Sequence, residues 1–332
     1  MIKVCYFYRT PGYGFSIERV FEDVRKGVGH AVSQHETFCP LRSIAPLALL
    51  KNIYHCRKQR CSVNHITGDA YYLAIGLPRE GLVVTVHDCG HIPNLSGFKR
   101  WFYRYFWFEL ATHRAEVVTF ISKFSLSELE SALGREIPNS VVIPDPVSDA
   151  FQPQPKAPNR RTPVILALGT KPNKNLVRLA AALKGMDVQL RIIGALPPDQ
   201  KQALEQNHIN YTAEAGLSFQ QVVEEYAKAD IVSLVSTHEG FGLPIVEAQA
   251  TGRPVVTSNA CSMPEVAGGA AVLVDPLSVE SIREGFKSLL VENDCWKDCV
   301  ALGLKNAERF RIPVIAQQFL EVYRRVDPAR VP

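Results

Sequence analysis

The sequence contains no Asp-x-Asp pair, no Cys-x-x-Cys pair and no Gly-x-Gly-x-x-Gly run. Without the acidic pair, any anionic ligand would be balanced by helix dipoles and lysine, so neither a metal nor a cofactor is expected. The eight cysteines are scattered, which reads as reduced thiols of a cytosolic protein rather than disulfides or a zinc site. The missing dinucleotide fingerprint disfavours a Rossmann dehydrogenase, although Gly12 and Gly14 do follow the first apolar run. No apolar stretch approaches the ~20 residues of a membrane span. The N-terminus passes straight into an apolar run over 2–8, read as a strand and not as a signal segment. Charge of one sign is scarce too. A formal net charge of +4 over 332 residues argues against a dedicated nucleic-acid binder, yet leaves room for a local basic face.

Hydrophobic residues make up 46% and charged residues 21%, the balance of a soluble globular chain long enough for two domains. Short apolar runs alternate with helical patterns, which predicts an α/β fold with parallel sheets. The first half reads as strands over 2–8, 36–39, 62–66, 82–87, 116–121 and 140–143, with helices over 17–28, 46–58, 98–112 and 123–133. A proline-rich polar stretch over 151–163 reads as a linker between a first domain, 1–150, and a second, 164–310. The second half reads as strands over 164–168, 188–193, 231–235, 255–257 and 271–274. Its helices fall at 174–183, 198–206, 219–228, 244–250 and 278–291.

The segment His238-Glu239-Gly240-Phe241-Gly242-Leu243-Pro244-Ile245-Val246-Glu247 follows the 231–235 strand. Its glycines permit a tight turn, and Pro244 suits the first turn of a helix. A strand, a glycine turn and a helix N-terminus together present N–H groups and a positive dipole end to an anion. Glu239 then stands before the turn and Glu247 about one turn inside the helix. The string resembles the Glu-x7-Glu signature of retaining glycosyltransferases of family 4, also called group 1. The resemblance implies a GT-B architecture, two doubly wound Rossmann-like domains facing a cleft, with a C-terminal helix over 311–332 returning to the first domain. It also implies that Glu239 contacts donor-sugar hydroxyls and that Glu247 binds the nucleotide ribose.

Other matches extend the resemblance. Gly169-Thr170-Lys171-Pro172-Asn173-Lys174-Asn175 follows a strand and is similar to the family segment whose cations hold the donor diphosphate. Lys174 and Asn175 match, while Asn173 stands where an arginine is common. Lys174 is read as opening the next helix, where a lysine is electrostatically unfavourable unless an anion balances it. Gly194 ends another strand, and the stretch around Gly216 resembles the one that recognises the base. Ser262 and Glu265 read foremost as caps of a short helix. His87-Asp88 at the end of the 82–87 strand is the acceptor-side match. It implies that His87 positions donor and acceptor, with Asp88 orienting it or capping the next turn. The other reading of His87 is a histidine hydrogen-bonded at a strand end. Gly12 and Gly14 sit where relatives bring backbone near the reaction.

The aromatic run over 98–108 carries Lys99, Arg100 and Arg104 near one side of a helix. It reads equally as a core helix with solvated cations or as a helix lying on an anionic membrane. The resemblance thus implies a retaining transfer of a hexosyl group from a nucleotide-diphosphate sugar. The catalytic candidates are His87, Glu239 and Lys174, and the N–H groups around Phe241–Leu243 would add to the charge stabilisation. The acceptor is a glycan or lipid-linked glycan of bacterial surface polysaccharide, met in the cytoplasm or at the inner face of the membrane. A nucleotide-sugar epimerase and a silent sugar-nucleotide-binding scaffold are the alternatives.

Overall fold

The computed structural model describes residues 1–12, 16–42, 45–89, 96–157, 159, 161–291 and 293–329. The chain divides into two compact units. Unit 1 takes Met1–Pro146 with Ile312–Pro332, and unit 2 takes Val147–Arg311.

Unit 1 is built on a six-stranded parallel sheet. Its strands are β1 (Ile2–Tyr8), β2 (Val32–Phe38), β3 (Val63–Ile66), β4 (Leu82–Val86), β5 (Val117–Phe120) and β6 (Ser140–Val142). They lie in the order β2-β1-β3-β4-β5-β6. The central strands β3, β4 and β5 are buried along their whole length, as expected of strands covered on both faces. The β2 strand begins earlier than its sequence suggested. It is an edge strand whose middle residues Gln34, His35 and Glu36 are exposed, so its pattern is mostly polar. The helix Ile312–Val326 packs on the helix Ser16–Val28, so tightly that a Cβ at Gly27 would stand 2.5 Å from Ala316 Cβ.

The aromatic run forms one continuous helical stretch in three parts. An α-helix over Gly97–Tyr103 passes into a π-helical turn over Arg104–Glu109 and then a short α-helix over Leu110–Arg114. Trp107 and Phe108 turn into the core, while Trp101 and Tyr105 stay exposed and stack at 5.6 Å. Arg104 is not one of three alike solvated cations: its Nη2 donates to the Leu133 carbonyl at 2.7 Å.

Unit 2 repeats the plan with β7 (Val164–Leu168), β8 (Gln189–Ile193), β9 (Asn210–Glu214), β10 (Ile231–Leu234), β11 (Val255–Ser258) and β12 (Val272–Val274). All are parallel, in the order β12-β11-β10-β7-β8-β9. The chain moves outward from β7 in one direction and returns to β10 on its other side. The topological switch point therefore lies between the carboxyl ends of β7 and β10, where ligands of open α/β sheets bind.

The proline-rich stretch, read from sequence as a linker, is fastened to unit 2. The Phe151 ring is buried 5.7 Å from Phe219 and 5.2 Å from Tyr226. The Gln154 carbonyl accepts from Arg253 Nη1 at 2.8 Å, and Lys156 Nζ lies 2.8 Å from the Asp230 carboxylate.

Candidate active site

In unit 2 the candidates from Gly169 to Asn175 and from Glu239 to Leu243 flank the switch point. Gly169 and Thr170 follow β7, and the segment Thr237–Gly242 follows the neighbouring β10. Lys174 ends a 3-10 turn over Pro172–Lys174 and does not open the α-helix, which starts only at Leu176. The cause is Asn175, whose φ of 62° interrupts the helical path. Held there, the Lys174 ammonium donates to Glu239 Oε1 at 2.6 Å. Both side chains are mostly buried, at 18% and 15% exposure. Gly169 makes room for the lysine stem, since a Cβ there would come within 3.1 Å of Lys174 Cε.

Two asparagines tie the loops together. Asn173 Nδ2 donates to the His238 carbonyl at 2.9 Å, and its own carbonyl accepts from Thr237 N at 2.8 Å. Asn175 is buried, donating to the Val235 and Pro276 carbonyls at 3.0 and 2.7 Å and accepting from Arg178 at 3.0 Å. Its amide serves the fold, and it shapes the site from beneath. Lys171 stands exposed.

The glycine loop has a support that sequence reasoning assigned elsewhere. Ser262 makes no side-chain cap to the helix Met263–Ala267. Its hydroxyl instead sits 2.9 Å from the Glu239 carbonyl and 2.8 Å from that of Phe241, bracketing Gly240. Phe241 is buried, its ring 5.7 Å from Phe310. Gly242, at φ 100°, is the N-cap of the helix Leu243–Thr251, which carries Pro244 in its first turn. This left-handed backbone is one that residues with a Cβ seldom adopt. On that helix Glu247 Oε2 accepts from the Tyr226 hydroxyl. Burial, then the Glu247 charge, raises the Tyr226 pKa well above its ordinary value, so the phenol remains a donor. Gly194, after β8, donates to the Glu214 carbonyl at 2.7 Å, and Gly216 follows the edge strand β9.

Unit 1 holds the acceptor-side candidates. His87 Nε2 lies 2.8 Å from the Thr67 carbonyl, which fixes that nitrogen as the proton-bearing one. Its Nδ1 is 4.0 Å from Asp145, an acid buried at the end of the unit. Desolvation raises the Asp145 pKa, and His87 opposes that shift. Asp88, expected to orient the imidazole or to cap the next turn, is exposed; Asp145 holds the position beside the ring, and the turn lies outside the described residues. Gly12 lies in an exposed turn after β1, and Gly14 is outside the described residues. His65 belongs to the core. Its ring nitrogens lie 2.7 Å from the Tyr323 and Thr85 hydroxyls, and burial lowers its pKa to about 3.

Residues 162–292 match the family model for Glycosyl transferases group 1. The likeness to the group 1 glycosyl transferases is carried by this segment. The O-antigen chain mannosyltransferase B of Escherichia coli is 39% identical over 100 residues, 30% of this chain and 26% of the relative. The MMP alpha-(1->4)-mannosyltransferase of Mycolicibacterium hassiacum is 31% identical over 192 residues, 53% of this chain and 45% of the relative. The chain thus spans less than half the length of either relative. The Anabaena protein Alr3699/HepE, solved with UDP and glucose, superposes with a TM-score of 0.76 at 17% identity, covering 97% of this chain and 99% of that one. This likeness is one of fold, and the fold is GT-B.

Every donor-side candidate from Gly169 to Glu247 lies inside the group 1 segment, while Gly12, His87 and Asp88 lie outside it. Sequence reasoning missed Tyr226 and Asp145, and it gave Ser262 a cap. The alternation of strand and helix carried no signal for them. Tyr226 sits on a different helix from the carboxylate it serves, and Asp145 lies far in sequence from His87.

Proposed function

We propose that this chain is a retaining glycosyltransferase that moves a hexosyl group from a nucleotide-diphosphate sugar to a glycan or lipid-linked glycan, in bacterial surface polysaccharide assembly at the inner face of the membrane. The observation that carries the reading is the Lys174–Glu239 pair, 2.6 Å apart at the switch point of the unit 2 sheet. A diphosphate takes the place of Glu239 as the counter-charge of Lys174, and the released carboxylate accepts hydrogen bonds from sugar hydroxyls. Lys174 and the amides at the start of the helix Leu243–Thr251 balance the charge of the departing phosphate, without a divalent metal. Glu247, held by Tyr226, receives the ribose hydroxyls. The glycosidic bond to the phosphate breaks as the acceptor oxygen bonds on the same face, and the leaving phosphate oxygen takes the acceptor's proton. His87, with its tautomer set by Thr67, positions the reacting groups from the acceptor side. The names of both relatives favour mannose as the sugar.

A thermal-shift series with GDP, UDP, dTDP and their sugars tests the donor assignment. A nucleotide sugar at a hundred times its Kd should stabilise the protein by about 2.7 kcal/mol. If none of them shifts the midpoint, the donor reading fails. Transfer of label from the donor to a glycan acceptor, with the anomeric configuration of the product kept, then distinguishes this enzyme from an epimerase acting on the donor alone.

A further inference from the structure

The helix Pro46–Lys58 has one buried face and one exposed apolar face. Ala48, Asn52 and Cys56, spaced by four, point inward and are buried. The Asn52 amide pins this face, exchanging hydrogen bonds with both backbone groups of Leu41 at 3.0 and 2.9 Å and donating to the Tyr72 hydroxyl at 2.9 Å. At 100° per residue, Leu47, Leu50 and Tyr54 fall together on the opposite side. They are 74%, 61% and 62% exposed. An exposed leucine alone needs no explanation, but three large apolar residues aligned on one rigid face do.

The charge carried by this stretch of the chain has one sign. From Thr37 to Gly68 the chain carries Arg42, Lys51, Arg57, Lys58 and Arg60 and no Asp or Glu. The Lys58 ammonium lies over the Tyr54 ring, 4.3 Å from its centroid. Tyr54, Arg57, Lys58 and Arg60 line a cavity of about 420 Å³ at the helix's C-terminal end. The carbonyl end of the helix favours cations there, and with Arg60 the three basic side chains outweigh its partial negative charge. The aromatic helix is less suited to a surface, since Trp107 and Phe108 are buried and Arg104 is tied to Leu133.

We infer that the outward face of the helix Pro46–Lys58 docks on an anionic phospholipid bilayer. Leu47, Leu50 and Tyr54 enter the headgroup–acyl boundary, and a lipid phosphate occupies the cavity between Arg57, Lys58 and Arg60. The inference does not rest on the transfer reaction, because docking is measured without any sugar.

The test is co-sedimentation of the full chain with vesicles of phosphatidylcholine alone and of phosphatidylcholine mixed with phosphatidylglycerol. The wild type should pellet only with the anionic vesicles and be released by high salt. Each basic residue replaced in the set Lys51→Gln, Arg57→Gln, Lys58→Gln and Arg60→Gln should weaken partition about fivefold. The combined Leu47→Ser, Leu50→Ser, Tyr54→Ser variant should lose binding while keeping the wild-type melting curve. The pair Lys99→Gln, Arg100→Gln should bind as the wild type does. Failure to pellet with anionic vesicles at low salt overturns the proposal. So does loss of binding confined to the Lys99, Arg100 pair, or a wild-type dimer that the serine variant converts to monomer.

Discussion

Lys174 and Asn175 are neighbours with different tasks. The Lys174 charge meets Glu239 at the switch point, so its removal should act on the chemical step. Lys174→Ala is expected to lower kcat by about 10²–10³, as for other lost transition-state donors, with a smaller change in donor affinity. Steady-state kinetics showing only a raised KM would place Lys174 in ground-state binding instead. Asn175→Ala leaves two buried carbonyls unpaired and puts alanine at a φ of 62°. It should cost about 1–3 kcal/mol of stability in denaturant unfolding while the folded fraction keeps its nucleotide affinity. Glu247→Ala should weaken nucleoside diphosphate binding by about 1.5–3 kcal/mol, the worth of hydrogen bonds to a charged group. Calorimetric titration of a folded Glu247→Ala protein with unaltered affinity would remove it from the ribose site.

Among the elements, those with a strong apolar period were legible in the sequence and those without were not. The strands β4, β7 and β10 are buried along most of their length and appear as apolar runs. The edge strand β9 was missed, because Asn210, Thr212, Ala213 and Glu214 are exposed and only Tyr211 is half-buried. The helix Asn293–Ala307 was missed as well; its sequence mixes cysteine, tryptophan, glycine and charge without a clean stripe. The start of the helix after Lys174 was misplaced, since nothing in the residue types announces the left-handed turn at Asn175. The glycine loop was legible through its resemblance to a known string, but the serine that braces it was not. One element, β3, also sets a pH response. His65 has a folded pKa of about 3 against an ordinary 6.5, so below that ordinary value the unfolded chain binds the extra proton. The stability present above pH 6.5 should fall as pH drops toward 3, by at most about 1.4 kcal/mol per pH unit from this group. Urea unfolding over that interval should show the slope, and His65→Gln should flatten it; equal slopes in the two proteins would acquit His65.

For the molecule as a whole, the fastening of residues 151–157 to unit 2 fixes where that unit begins. A fragment over 147–311 should unfold cooperatively, whereas one starting at residue 164 uncovers Tyr226 and Phe219 and takes Gln154 away from the buried Arg253. Circular dichroism melts should show a lower midpoint for the shorter fragment. Equal midpoints would mean that the stretch is a passive tether. The Lys174–Glu239 pair has its own bearing on how the protein behaves among the many anions of a cell. A site with its own internal counter-ion is a lock with two keys. Bare pyrophosphate satisfies the ammonium but strands a half-buried carboxylate, and a free sugar offers hydroxyls to the carboxylate but cannot replace it beside the ammonium. On the proposed reading, only a molecule that joins diphosphate to sugar repays both halves at once, so abundant phosphates and free sugars each remain weak competitors.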